Sequence, residues 1–173
     1  MAITKIQSES MNLADTYAFT GTVTGASSPM TPAWHVYNDS NFSMSSSTET
    51  LITWSQEQQD TDNAFASNKF TVPSGAAGKY FVQAQICFVP NTGSTSTMQW
   101  CYMHINKNGS NITGSPRIDF RGNNGHGATV QTSQIVTLAV GDYLEVYGWV
   151  AATSPVALNG AGSTYFLGYK IIE

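Results

Sequence analysis

Apolar and polar residues alternate along short runs of this chain, and turn residues separate one run from the next. The alternation predicts strands at 31–38, 50–56, 68–73, 79–90, 98–107, 127–138, 142–151 and 164–172. Helical periodicity is nearly absent. The connecting segments, such as NTGSTST and RGNNGHG, are rich in Gly, Asn and Ser, as turns and loops are. Short strands at this spacing predict an all-β sandwich or jelly roll.

The strand predicted at 79–90 has one face that suits the core of such a sandwich. Successive side chains of a strand point to opposite faces, and the apolar set on one face is Tyr80, Val82, Ala84, Ile86 and Phe88. The other face is mixed, because Phe81 and Cys87 flank two glutamines there. We therefore expect part of this second face to be covered.

The strands 98–107 and 142–151 lack a polar face altogether. On the second of them, Leu144, Val146 and Val150 oppose Tyr143, Tyr147 and Trp149. On the first, Cys101, Met103 and Ile105 oppose Met98, Trp100, Tyr102 and His104. A row of Tyr and Trp is typical of the core of a subunit interface. We predict an interface of Tyr143, Tyr147, Trp149, Trp100, Tyr102 and Phe81; the alternative is that loops of the same chain cover these side chains.

Residues 1–30 differ from the rest of the chain. They are mostly polar, with scattered apolar residues and a Gly/Ser/Pro boundary at the end. A segment without its own core orders against something else. We therefore divide the chain into an arm at 1–30 and a β-domain at 31–173. The apolar side chains that we expect to attach the arm to a partner are Ile3, Ile6, Met11, Leu13, Tyr17 and Phe19.

The composition excludes several kinds of partner. Charged residues make up 10% of the chain, against about 25% in ordinary domains. The net charge of -4 argues against nucleic acid, which requires a basic surface. No apolar run has the length of a membrane span, so we expect no membrane partner. The first residues lack the apolar segment of a secretory signal, and we expect the chain to fold in a cytoplasm.

No group of residues has the spacing of a catalytic site or a cofactor site. Cys101 and His104 are three apart on one strand and therefore point to opposite faces. Asp60 and Asp62 resemble a fragment of a calcium loop but lack its Gly and its downstream Glu, and a solvated loop with Asx turns is the favoured interpretation. The two cysteines, Cys87 and Cys101, are too few for a disulfide framework. We predict no enzymatic activity, no cofactor and no metal.

Three segments resemble the C1q-like family. In AFASNKFTVPSGAAGKYFVQAQICF, the family pattern falls on Phe70, Pro73, Gly78 and Tyr80. The second segment has Gly141-Asp142 before a strand and closes with Tyr165-Phe166-x-Gly168-Tyr169; INKNGSNI at 105–112 lies between the two. The resemblance covers residues 35–173. It implies a ten-stranded jelly roll, related to the tumour necrosis factor fold, that forms tight homotrimers.

Two further expectations come from this resemblance. The outward row of Tyr143, Tyr147 and Trp149 should face the threefold axis. The strands 79–90 and 98–107 should lie in opposite sheets, which would separate Cys87 from Cys101.

The opening MAITKIQSESMNLADTYAFTGTVTGA looks like the start of virion proteins from tailed phages of cyanobacteria and other marine bacteria. There is no collagen-like stalk, so the secreted animal proteins of the C1q-like family are poor guides to function. The resemblance implies a trimeric head decoration (cement) protein in the virion. It would be assembled in the host cytoplasm and bound through its arm to the major capsid protein or another virion protein. The alternative is a tail or head fibre knob that binds a host surface receptor or glycan through the loops 91–97, 108–116 and 121–128.

Overall fold

The computed structural model describes residues 30–90, 98–120, 125–152, 156–158 and 162–171. Within these ranges the chain forms fourteen strands and no helix. The strands make two antiparallel seven-stranded sheets that pack face to face as a jelly-roll sandwich. Consistent with this, the described residues include no helix that could span a membrane. The all-β jelly roll predicted from the sequence is confirmed.

Each sheet is built from strands that are distant in the chain. Sheet I contains β1 (Ala33–Tyr37), β2 (Phe42–Met44), β4 (Gln56–Asp60), β7 (Gly78–Pro90), β11 (Ala128–Leu138), β13 (Val156–Leu158) and β14 (Tyr165–Lys170). Sheet II contains β3 (Thr50–Leu51), β5 (Phe65–Ala66), β6 (Lys69–Thr71), β8 (Met98–Lys107), β9 (Ser110–Asn111), β10 (Arg117–Asp119) and β12 (Tyr143–Ala152). Strand β7 pairs with β11, β14 and β13, whereas β8 and β12 form the centre of sheet II.

The core lies between the sheets, on the faces that the alternation predicts. The side chains of β7 from Tyr80 to Phe88 that point inward are fully buried, as are Leu144, Val146 and Val150 of β12. The indole of Trp34 stacks on Phe70 with ring centroids 3.8 Å apart, and Phe166 packs edge-on against it at 5.4 Å. Burial of this aromatic group on β1, β6 and β14 joins the two sheets at one end of the sandwich.

The separation of the two cysteines is confirmed. Cys87 lies on β7 in sheet I and Cys101 on β8 in sheet II, and both are free thiols. Cys101 is fully buried in the core, where burial raises the pKa of its thiol to about 12. Such a thiol remains protonated at neutral pH and packs as a small apolar side chain.

The strand predicted at 50–56 is wrong as a single element. Its first two residues form β3 in sheet II, and Gln56 begins β4 in sheet I. The residues between them cross from one sheet to the other. Ile52 lies fully buried in the core, and its N–H donates to the carbonyl of Val146 at 2.9 Å. The run is apolar because the crossover passes along the core, not because it is a strand.

The side to which Met98 points also differs from the prediction. Met98 is fully buried, although its spacing from Trp100 places the two on one face of a regular strand. The pairing of β12 with β8 shifts between Ala151 and Ala152, so that Ala151 opposes Trp100 and Ala152 opposes Met98. This β-bulge inserts one residue and reverses the alternation at the start of β8.

Candidate functional site: two outward sheet faces

The outward face of sheet I carries no carboxylate, lysine or arginine over the middle of β1, β7, β11 and β14. Register places Phe81 beside Tyr169 and Gln83 beside Leu167, and Leu167 beside His35. We call this surface the neutral face. Its members are Ala33, His35, Tyr37, Phe81, Gln83, Gln85, Cys87, Thr129, Gln131, Ser133, Ile135, Tyr165, Leu167 and Tyr169.

Two of the three glutamines of the neutral face are held by neighbouring groups. The side-chain amide of Gln83 donates to the hydroxyl of Tyr165 at 2.8 Å, and that of Gln85 donates to the carbonyl of Ser163 at 2.9 Å. Because these two amides have partners within the chain, covering them leaves fewer polar groups without hydrogen bonds. Burial of this part of the face therefore costs less free energy than its polar composition suggests.

The two edges of the neutral face differ in shape. On β11, Ile135 is 59% exposed and projects beside Phe81. At the β1 side, a hollow of about 260 Å³ is lined by His35, Tyr37, Gln58, Gly162, Tyr165 and Leu167. Burial lowers the pKa of His35 at this hollow, which favours its neutral form. One edge thus offers an apolar projection and the other an uncharged depression.

The outward face of sheet II carries a cluster of near-parallel rings at its centre. Tyr102 opposes Trp149 across β8 and β12, and their rings lie 5.5 Å apart with planes within 8°. The next pair, His104 and Tyr147, lies 5.8 Å apart with planes within 14°. The rings of Trp100 and Trp149 approach to 3.9 Å. We call Trp100, Tyr102, His104, Tyr147 and Trp149 the aromatic platform.

The rings of Tyr102, His104, Tyr147 and Trp149 are near-parallel, whereas Trp100 is tilted by 30° from Tyr102 and by 35° from Trp149. Near-parallel rings 5–6 Å apart are offset from one another instead of directly face to face. Tyr102 and His104, at 6.0 Å and 17°, continue the same arrangement along β8. Trp100, Tyr102, Tyr147 and Trp149 are each half-buried, whereas His104 is 4% exposed. The platform therefore presents part of four aromatic side chains to solvent beside a buried imidazole.

Glu49 extends over the platform from the segment before β3. Its carboxylate accepts a hydrogen bond from the hydroxyl of Tyr102 at 3.3 Å and lies 3.7 Å from His104 Nε2. Burial lowers the pKa of His104, and the charge of Glu49 opposes that shift. Burial and the nearby carboxylate both raise the pKa of Tyr102. The other imidazole nitrogen, Nδ1, is buried and has no hydrogen-bond partner among the residues that the structure describes.

Charged side chains of both signs surround the platform. Arg117 of β10 lies over the ring of Trp100 at 6.0 Å. Lys69 of β6 lies over Tyr143 at 4.7 Å, and Glu145 is the next outward residue after Tyr143 on β12. Sheet II thus has an aromatic centre with a charged rim, whereas the centre of the outward face of sheet I is uncharged and polar in part.

The six side chains predicted for a subunit interface divide between the two faces. Trp100, Tyr102, Tyr147 and Trp149 meet in the platform, and Tyr143 lies on the same face at the far end of β12. Phe81 lies on the outward side of sheet I, where its ring contacts Tyr169 at 5.5 Å. The expectation that the β12 row faces a threefold axis stays a prediction. The predicted attachment residues of the arm lie outside the described residues.

Sequence reasoning missed most of the neutral face. Tyr165, Leu167 and Ile135 were placed on strands but not on a common surface. The alternation of side chains in the predicted strands 127–138 and 164–172 could have revealed this surface. In each strand, the side chains that point outward include no charged residue. Only the register of β11, β7, β14 and β1 shows that these sets are adjacent.

The loop after β4 is organised by its own carboxylate. Asp60 accepts hydrogen bonds from the backbone N–H groups of Ala64 at 2.9 Å and Phe65 at 2.8 Å, and from that of Asp62 at 3.4 Å, as in an Asx turn. Asp62 in turn accepts from the hydroxyl of Thr61 at 2.6 Å. Among the described residues, no group of three or more His, Cys, Asp or Glu side chains has a metal-binding arrangement.

The architecture defines a jelly-roll protein of the type shared by C1q and tumour necrosis factor domains. The globular domain of zebrafish complement 1qA matches with a TM-score of 0.54 at 14% identity, covering 81% of this chain and 97% of the other. Murine APRIL matches with a TM-score of 0.55 at 14% identity, covering 80% and 98%. These similarities establish the fold. No protein-family model matches the sequence, and no curated protein is significantly similar to it.

Proposed function

We propose that this chain is a structural protein of a tailed-phage virion, a homotrimeric head decoration protein that binds the capsid through residues 1–30. The observation that supports a homotrimer is the neutral face of sheet I, which is wide, apolar in part and free of charge. The resemblance of the opening residues to phage virion proteins supports the particle as the partner.

The neutral face suits self-association better than the aromatic platform does. Charges are depleted in the cores of interfaces, and the rows from Phe81 to Cys87 contain none. The platform, in contrast, is bordered by Glu49, Arg117 and Glu145. We therefore propose a threefold contact on sheet I in place of the one expected at Tyr143, Tyr147 and Trp149. Phe81 is the one residue shared with the interface predicted from the sequence.

A ring of three subunits requires a heterologous contact, in which one surface of a subunit meets a different surface of the next. The two edges of the neutral face provide such a pair. Ile135 projects from β11, and the hollow at His35 and Leu167 lies at the β1 side. In the trimer that we propose, Ile135 of each subunit packs against the hollow of the neighbouring subunit. This arrangement leaves the outward face of sheet II exposed on the trimer.

Attachment through the arm is tested by comparing the full chain with a chain that lacks residues 1–25. Both are incubated with capsids from which the protein has been removed, and bound protein is measured after sedimentation. We expect the shortened chain to remain a trimer but not to sediment with capsids. A shortened chain that decorates capsids as well as the full chain would refute attachment through the arm.

The copy number in purified virions tests the particle role. Hundreds of copies on the head fit a decoration protein, whereas a handful fits a fibre knob, the second candidate function. The aromatic platform on the exposed side of the trimer favours recognition of an outside ligand in that second case. Absence of the protein from purified virions would refute both roles.

A further inference from the structure

We propose that the aromatic platform of sheet II is a binding site for a neutral oligosaccharide. This cluster is separate from the core of the sandwich, which lies on the other side of β8 and β12. The inference goes beyond the structural role proposed above and applies equally to a decoration protein and to a fibre knob.

The ring geometry is suited to sugar rings. The C–H groups on one face of a pyranose carry partial positive charge, and the face of an aromatic ring carries partial negative charge. Tyr102 and Trp149, with centroids 5.5 Å apart and planes within 8°, are each half-buried, so both side chains keep surface that a ligand can contact. A sugar ring can pack against this exposed aromatic surface.

Hydrogen-bonding groups stand at the margin of the platform. Glu49 is 48% exposed at its side chain while its carboxylate contacts Tyr102 and His104. Arg117 is exposed on β10 beside Trp100. A carboxylate that accepts from hydroxyls, opposite a guanidinium that donates to them, would fix the orientation of a polyhydroxylated ligand.

The platform by itself is too small to form a stable protein interface. From Trp100 to His104 the strand advances ~14 Å, and the two strands with their side chains are ~10 Å wide. The resulting area is well below the ~800 Å² that each partner buries in a specific protein interface. A length of ~14 Å along a strand corresponds to a short run of linked pyranose rings.

The charges around the platform argue against a polyanion. Among the residues that the structure describes, Arg117 and Lys69 are outnumbered by Glu49, Glu145 and Asp119 on the same side of sheet II. A sulfated or uronic-acid polymer would meet more negative than positive groups there and gain little from charge. An uncharged saccharide meets no such repulsion, and it is the class of ligand that we propose.

Binding is tested by calorimetry and tryptophan fluorescence on the full chain, with cellohexaose, laminarihexaose and maltohexaose as probes and heparin as the polyanion control. We expect saturable binding of at least one neutral probe and no binding of heparin. Trp149→Ala and Glu49→Gln should weaken that binding by about tenfold or more. Tyr169→Ala, an aromatic truncation on the neutral face, should leave it unchanged.

Four results would overturn the inference. The first is that none of the neutral probes binds the unaltered chain, and the second is that heparin binds instead of them. The third is that Trp149→Ala binds the probes as tightly as the unaltered chain does. The fourth is that Trp149→Ala dissociates the trimer while Tyr169→Ala does not, which would make the platform a subunit contact. Tyr102→Phe keeps the ring and removes only the hydroxyl. A change in saccharide binding by this variant would therefore not come from loss of the ring packing. Capsid binding does not enter these measurements, so failure here leaves the virion role untouched.

Discussion

The indole of Trp34 lies directly on the backbone of Gly168, its paired residue across β1 and β14. A Cβ at Gly168 would be 2.4 Å from Cη2 of Trp34 and 2.8 Å from the carbonyl oxygen of Phe81. The other face of the indole is held by Phe70 at 3.8 Å. The ring is thus fixed on both sides, and a glycine at 168 is what allows β14 to pass beneath it.

Gly168→Ala should therefore lower the free energy of unfolding by about 3 kcal/mol, the upper part of the range for overpacked cores. The measurement is urea unfolding at one fixed protein concentration, since association would add to the stability. Gly127→Ala is the matched control, because its new Cβ would meet nothing closer than 3.6 Å. Equal effects of the two substitutions would contradict the packing described for Trp34.

Asp142 holds the turn before β12 through three hydrogen bonds. Its carboxylate accepts from the Lys107 ammonium at 2.8 Å, the Ala139 N–H at 2.8 Å and the Asn108 amide at 2.7 Å. Asp142→Asn should cost about 1–2 kcal/mol of stability at pH 7, because the charged acceptor is lost. Glu57→Gln, at an exposed carboxylate on the edge strand β4, serves as the control and should change stability little.

The same contacts give Asp142 a pH signature. The hydrogen bonds from Lys107, Ala139 and Asn108 lower its pKa to about 2, below the value near 3.9 of an unfolded aspartate. The carboxylate therefore stabilises the fold above pH ~4, and this contribution is lost as the pH falls toward 2. Unfolding measured between pH 4 and 2 should show a smaller decrease for Asp142→Asn than for the unaltered chain. Parallel curves would contradict the assignment.

The elements that could be predicted are those whose side chains alternate between core and surface. Strands β7, β8 and β12 show that alternation clearly. Strand β4, with the sequence QEQQD, is polar on both faces because it pairs only with β1 at the edge of the sheet. Nothing in its residues distinguishes it from a loop. Ile52, in contrast, is apolar as a strand residue would be, yet it belongs to a crossover through the core.

The candidate surfaces were less predictable because they depend on strand order. The alternation along the predicted strand 142–151 correctly placed Tyr147 and Trp149 on the outward face of sheet II. It could not show that Tyr102 lies opposite Trp149, nor that Glu49 reaches both Tyr102 and His104 from a segment about fifty residues away. The neutral face is assembled from four strands separated by long stretches of chain. Such surfaces become visible only when the register is known.

His104 should make the stability of the protein depend on pH near neutrality. Its pKa is lowered by burial beneath Tyr102 and Tyr147, so the unfolded chain takes up a proton at a higher pH than the folded chain does. The contribution of His104 to the free energy of unfolding is therefore complete above pH ~6.5. It decreases as the pH falls below that value. His104→Phe, which keeps a ring in the stack, should flatten the stability curve between pH 7 and pH 5.

His35 acts in the same direction, because burial lowers its pKa as well. The double variant with His35→Phe should therefore flatten the curve further than either single variant. The comparison uses urea unfolding at several pH values, again at one protein concentration. If His104→Phe retains the full slope and His35→Phe alone removes it, the buried imidazole of sheet II does not contribute.

Ile135→Glu should dissociate the trimer. The substitution places a carboxylate at the apolar projection of the neutral face, where the neighbouring subunit would have to cover it without a cationic partner, and an unpaired buried charge is strongly unfavourable. Light scattering after size-exclusion chromatography should show the mass of a single chain, and the variant should retain its β-sheet circular dichroism. Val140→Glu is the control, since Val140 is 55% exposed, close to the 59% of Ile135, but lies in the turn before β12. A trimer that survives Ile135→Glu, or one lost equally with Val140→Glu, would show that the neutral face is not the threefold contact.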